Sequence, residues 1–273
     1  MKKSRHAVGS LKRVGIFDSG VGGLSVAKSV LESTLFESAV YFGDTARVPY
    51  GVKDEKTIVT FALECLEFFR AQKVDMLLVA CNTVSAYALE AMRSCASFPI
   101  IGVIEPGVQA RINANPALDS STLILGTQAT ITSARYQTLL QKAGFSRLCA
   151  VATGLFVPIV EEGSYRTPSG AAILQACLDH YLRPFLQASE LGGKAPDTII
   201  LGCTHFPLIA KEISAYFHHQ STLIHSGDAI VEYLVEHFSL TPNAYEKTAI
   251  EFFASSDVGG LKQRAQKWLY HKE

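Results

Sequence analysis

Asp75-Met-Leu-Leu-Val-Ala-Cys81-Asn-Thr83 and Asp197-Thr-Ile-Ile-Leu-Gly-Cys203-Thr-His205 are two versions of one pattern. Each opens on an aspartate, runs through strand-forming residues, passes a small residue and reaches a cysteine six positions after the Asp. A helical pattern follows each one, so each reads as a strand ending in a thiol. Similar apolar runs at 14–17, 39–42, 100–104, 122–125, 148–151 and 221–224 alternate with amphipathic stretches at 57–72, 83–94, 132–143, 170–187 and 229–238. That rhythm predicts an α/β protein, with mostly parallel sheet and helices on both faces. Open sheets of this class bind ligands at the carboxyl ends of their strands. Two matched strand ends therefore predict two pseudo-symmetric α/β domains with the active site in the cleft between them. The expected division is residues 1–105 with a returning segment 217–273, and residues 106–216.

Composition narrows what the cleft holds. The chain is 48% hydrophobic and 18% charged, enough to bury a sizeable core, and its 25 basic residues balance 25 acidic ones. Such a balance calls for no nucleic acid and no anionic membrane. No run approaches the roughly 18 apolar residues of a membrane span, and the basic leader at 1–13 is not followed by a signal-peptide core. A cytoplasmic protein is expected, with a small-molecule substrate as its partner and room for a homodimer. The six cysteines form no CxxC pair, which argues for free thiols over a disulfide framework or zinc knuckle.

A buried cysteine at a strand end is commonly just core. The matched pair, each followed by polar residues, is what points to chemistry. A thiol opening a helix lies near the positive end of the helix dipole and near unpaired N–H groups, so its pKa is expected to fall toward neutrality. Those N–H groups, with Asn82, Thr83 and Thr204, form a cradle for a small anion. Gly15-Ile-Phe-Asp18-Ser19-Gly20-Val-Gly22-Gly23 lets the backbone close tightly at another strand end, with Asp18 as a helix cap in the plainer view. Its spacing is neither a P-loop nor the dinucleotide fingerprint, although Asp44 could serve as the acidic residue of a nucleotide site. Residues 44–51 form a polar loop shaped by Pro49 and Gly51 around Tyr50. His205 stands close enough to stabilise a Cys203 thiolate. Glu161 follows an apolar run and could project into the cleft. His218 and His219 diverge as neighbours, and no metal site is expected. Cys65, Cys95, Cys149 and Cys177 read as core.

Two thiols across an anion-binding cleft suit racemisation: one removes a Cα proton from one face while the other protonates the opposite face. The carbanion needs help from donors gripping the α-carboxylate. A Cys-His hydrolase built on Cys203 and His205, for which Cys81 is dispensable, and a non-catalytic amino-acid-binding protein are the readings from other classes.

Asp18-Ser19-Gly20-Val-Gly22-Gly23, Asp44-Thr-Ala-Arg47-Val-Pro49-Tyr50-Gly51, Ala80-Cys81-Asn82-Thr83, Gly126-Thr127 to Thr130, Val160-Glu161-Glu162-Gly163 and Gly202-Cys203-Thr204-His205-Phe206-Pro207-Leu208 follow one another along the chain. In that order they resemble the successive signatures of glutamate racemases of the aspartate/glutamate racemase superfamily. The resemblance implies Cys81 and Cys203 as the two bases, acting on the D and L forms respectively, with Asp18, Glu161 and His205 tuning them. It implies a substrate lined by Asp18, Ser19, Tyr50, Gly51, Asn82, Thr83, Thr127, Thr130, Thr204 and His205. It also implies no cofactor, L- or D-glutamate as substrate, and supply of D-glutamate for peptidoglycan. An aspartate racemase would share the two-thiol logic with a shorter pocket. Val84 stands where a small Ala is expected and Phe206 where Tyr is usual.

Overall fold

A computed structural model describes residues 11–186, 188 and 191–270, so the first ten residues of the basic leader and parts of the 170–187 and 189–197 stretches lie outside the described residues. In chain order the strands are β1 (Arg13–Asp18), β2 (Ser38–Gly43), β3 (Met76–Val79), β4 (Ile100–Gly102), β5 (Thr122–Gly126), β6 (Leu148–Ala152), β7 (Thr198–Gly202), β8 (Thr222–Ile224) and β9 (Ala249–Ala254). They form two sheets, ordered β4-β3-β1-β2-β9 and β6-β5-β7-β8. Every pairing is parallel. Counted within its own half, each sheet runs second, first, third, fourth, and in each the third strand carries the cysteine. The echo between the two cysteine segments thus marks equivalent places in two sheets of one topology.

The echoed aspartates do equivalent structural work. Asp75 accepts from the N–H groups of Lys12 and Arg13, both at 2.8 Å, at the start of β1. Asp197 accepts from the N–H and hydroxyl of Ser121, both at 2.8 Å, at the start of β5. Each carboxylate ties the foot of a third strand to the foot of a first.

Because helices cover both faces, residues alternate between two cores rather than between core and water. In the first sheet Val14, Ile16 and Leu78 face one core while Phe17, Leu77 and Val79 face the other. In the second, Leu123, Leu125 and Leu201 oppose Ile124 and Ile200. No described helix is long and apolar enough to cross a membrane.

Three expectations need correction. The return to the first sheet expected at Phe217 comes later, since β8 completes the second sheet by pairing with β7. The stretch 83–94 is two helices, Asn82–Tyr87 and Leu89–Cys95, meeting at Ala88. The 132–143 stretch likewise resolves into Gln128–Thr132 and Arg135–Lys142, with Ala134 left-handed between them at φ 51°. The chain also adds β9 at the edge of the first sheet, followed by the helix Val258–Tyr270.

Candidate active site

Each strand end delivers a side chain because the chain must turn there into a helix or loop. Cys81 follows β3 and is the N-cap of Asn82–Tyr87, so Asn82 and Thr83 fall in the first turn. Cys203 follows β7, with Thr204 and His205 preceding a short 3-10 turn, Phe206–Ile209. Ser19 follows β1 and Thr127 follows β5. In each sheet the first and third strands are neighbours, and the chain departs to opposite sides beyond them, which opens a crevice. The two crevices share one cavity of about 480 Å³, lined by Ser19, Tyr50, Gly51, Cys81, Asn82, Thr83, Thr127, Glu161, Cys203, Thr204 and His205. Both thiols are buried, at 5% and 6% exposure, yet both reach that cavity.

Their surroundings differ. The Cys81 thiol donates to Ser19 Oγ at 3.4 Å. Burial and the nearby Asp18 carboxylate push it up to about 12, opposite to the fall expected from its helix N-terminus. Cys203 Sγ lies 3.6 Å from His205 Nδ1, and His205 Nε2 lies 3.0 Å from Glu161 Oε1. Burial alone would strip the proton from His205, but the hydrogen bonds to Cys203 and Glu161 outweigh it and lift the imidazole to about 10. Its bond to Glu161 in turn holds that carboxylate below its ordinary value, against the effect of burial.

Asp18 and Thr130 do not line the cavity; they stand behind it. Asp18 accepts from the Gly20 N–H at 2.9 Å and from the Thr204 hydroxyl at 3.5 Å, joining the Gly-rich turn to the Cys203 loop. Burial raises its carboxyl above the usual range. The helix Leu24–Ser33 has Gly23 at its N-cap, beside the Asp18 carboxylate. Thr130 closes a triangle of hydroxyls with Thr83 and Thr127, at 2.9, 3.0 and 3.3 Å. Asp44 is fully buried, its Oδ2 binding the Tyr50 hydroxyl and, at 2.6 Å, Arg47 Nε, and it lines no part of the cavity, so it is not placed to meet a ribose. Val84 and Phe206 are buried away from the cavity, Phe206 packing edge-on against Phe156.

The sequence reading missed several contributors. Tyr136 donates to Asn82 Oδ1 at 2.7 Å and so fixes which way the amide points. The amide nitrogen Nδ2 is then left buried without a partner, as a donor. Ala152, Gly154, Val157, Pro158 and Tyr181 complete the far wall. Only Val157 and Pro158 carried a signal, standing one helical turn before Glu161. No lysine or arginine among the described residues lines the cavity, so an anion there is held by neutral donors. Among the described residues no three His, Cys, Asp or Glu side chains gather so as to hold a metal ion.

Comparison with known proteins places this geometry. The family model Asp/Glu/Hydantoin racemase matches residues 22–234. The glutamate racemase of Nitratiruptor sp. is 51% identical over 258 residues, covering 94% of this chain and 96% of that protein. That of Campylobacter jejuni is 48% identical over 257 residues, covering 94% and 98%. Its crystal structure superposes with a TM-score of 0.88 over 95% of this chain and all of the other. A Francisella tularensis glutamate racemase solved with D-glutamate is 30% identical, with a TM-score of 0.79 over 96% of this chain and 95% of that one.

Proposed function

The chain belongs to the Asp/Glu/Hydantoin racemase family, and from that premise we infer that it is a glutamate racemase working through two opposed thiols. The observation that carries the mechanism is the pair of cysteines at equivalent strand ends, both facing one cavity of amino-acid size. The Cα proton leaves to one thiolate while the other thiol gives its proton to the opposite face, and the roles exchange with direction. Cys81 serves the D form and Cys203 the L form. A bound α-ammonium brings a positive charge beside Cys81, countering the burial and the Asp18 charge that hold its proton on.

The substrate carboxylates are gripped by neutral donors. Asn82 Nδ2 is oriented for this by Tyr136, and the hydroxyls of Ser19, Thr83, Thr127 and Thr204 stand around the same space. Such donors, fixed before substrate arrives, stabilise the charge that spreads onto the α-carboxylate as the proton leaves. Tyr50 and Gly51 close the wall, and His205 with Glu161 supports the Cys203 thiolate. The first domain comprises the sheet up to β4 and the returning β9 segment; the second comprises the sheet from β5 to β8. The product, D-glutamate, serves peptidoglycan.

A Cys-His hydrolase gains from the Cys203–His205 contact but leaves Cys81 without a task. Incubation with L-glutamate in heavy water separates the readings. Loss of optical rotation with one α-deuterium per inversion is expected. Retention of rotation and of the α-proton would refute the racemase.

A further inference from the structure

The helix Val258–Tyr270 is built on the first domain, where Leu261, Ala265 and Leu269 enter the core beside β1. Two further residues, one turn apart, look elsewhere. Trp268 packs against the cores of both sheets, and its ring meets the His205 ring edge-on, centroids 6.4 Å apart at 85°. Arg264 and Glu161 line one small cavity of about 140 Å³, together with Gly20, Asp257 and Leu261. Among the described residues no carboxylate forms an ion pair with Arg264, while Asp257 is occupied in accepting from the Gly260 N–H at 2.9 Å. We propose that this helix positions the Cys203 half of the active site: Trp268 holds the His205 ring between Cys203 and Glu161, and Arg264 steers the Glu161 carboxylate. The proposal rests on the two-thiol reading above.

His205 is faced by Cys203, Glu161, Asp18 and Trp268, and Glu161 by His205, Arg264, Asp257 and, at longer range, Asp18. Cys81 rests instead on Ser19 and Asp18, while the ring contact of Trp268 is with His205. The Arg264 charge helps keep Glu161 ionised, after the stronger influence of His205. Without that charge Glu161 holds its proton more tightly and grips the His205 ring less firmly.

The test uses the full-length enzyme and both enantiomers of a glutamate bearing chloride at Cβ. Removal of the α-proton by one thiolate expels chloride with its bonding electrons, so each thiol is read separately. Arg264→Gln should slow chloride release from the L analogue by roughly two- to fivefold, the size of one partly exposed charge. It should move the acid limb of that pH profile upward, leave the D analogue unchanged, and be reversed by Arg264→Lys. Trp268→Leu should cost the L side roughly tenfold or more through misplacement of His205. Trp268 is the only tryptophan in the chain, so its emission should rise with pH as the quenching His205 imidazolium loses its proton. Glu161→Gln should move that rise to lower pH. Equal losses on both enantiomers, no loss on either, or emission indifferent to Glu161→Gln would overturn the positioning role. Failure of the wild type to racemise glutamate in heavy water would instead bring down the functional reading on which it stands.

Discussion

Asn82 shows how a single residue acquires direction from a distant one. Its carbonyl oxygen is taken by Tyr136, which leaves the amide hydrogens for a carboxylate. Asn82→Asp keeps shape and the Tyr136 bond but replaces the donor with a negative charge. Substrate affinity should fall by at least about 2 kcal/mol, as binding calorimetry would show. Unchanged affinity would mean that the anion lies elsewhere. The Glu161–His205 pair makes a second prediction at this scale. The folded pKa of His205, about 10, lies above its ordinary 6.5, and that of Glu161 lies below its ordinary 4.5, so the pair's contribution is complete between about pH 4.5 and 6.5 and is lost as pH rises through about 10. The thermal gap between wild type and Glu161→Gln should therefore close over that rise in pH. A gap that stays constant would mean that the pair is not ionic. Such residues were legible where they sit beside a motif: Cys81, Asn82, Thr83, Cys203, Thr204 and His205 all reach the cavity. Tyr136 was not, since a tyrosine on a helix gives no sign of which amide it will meet across the fold.

At the scale of elements, the site depends on how closely the Gly-rich turn after β1 meets the Cys203 loop after β7. A Cβ on Gly22 would overlap the Thr204 hydroxyl and come within 2.7 Å of His205 Nδ1. Gly22 is not in the left-handed region, so its need for glycine is one of space. Gly22→Ala should thus displace His205 from Cys203 and lower kcat by roughly ten- to a hundredfold, with a smaller effect on urea unfolding. A loss of stability that matches the loss of turnover would contradict this. The glycines were legible as a tight turn, but what the turn packs against was not. Element boundaries failed where local pattern and tertiary demand diverge. The helix Ile104–Ala114 begins just where the apolar run 100–104 suggested strand, and it carries Pro106 and Gly107 in its early turns. The strand β9 was missed because its edge position leaves it partly exposed, without the continuous apolar run of its buried neighbours.

Across the whole molecule, one topology is used twice and the two copies are turned to face one cavity. The internal echo made this legible from two nine-residue segments, because a third strand bearing both the capping Asp and the terminal Cys recurs in each sheet. The C-terminal helix, which brings Trp268 and Arg264 to the second domain, had no such signal; its role exists only once both sheets are assembled. The central claim is that each thiol serves one face of Cα. Cys81→Ser and Cys203→Ser, each offered both enantiomers of the β-chloro analogue, test it most directly. A serine hydroxyl is too weak an acid to supply its alkoxide near neutral pH, so neither variant should racemise glutamate. Cys203→Ser should still release chloride from the D analogue alone, and Cys81→Ser from the L analogue alone. Release by both variants from the same enantiomer, or a silent Cys81→Ser, would contradict the two-thiol account.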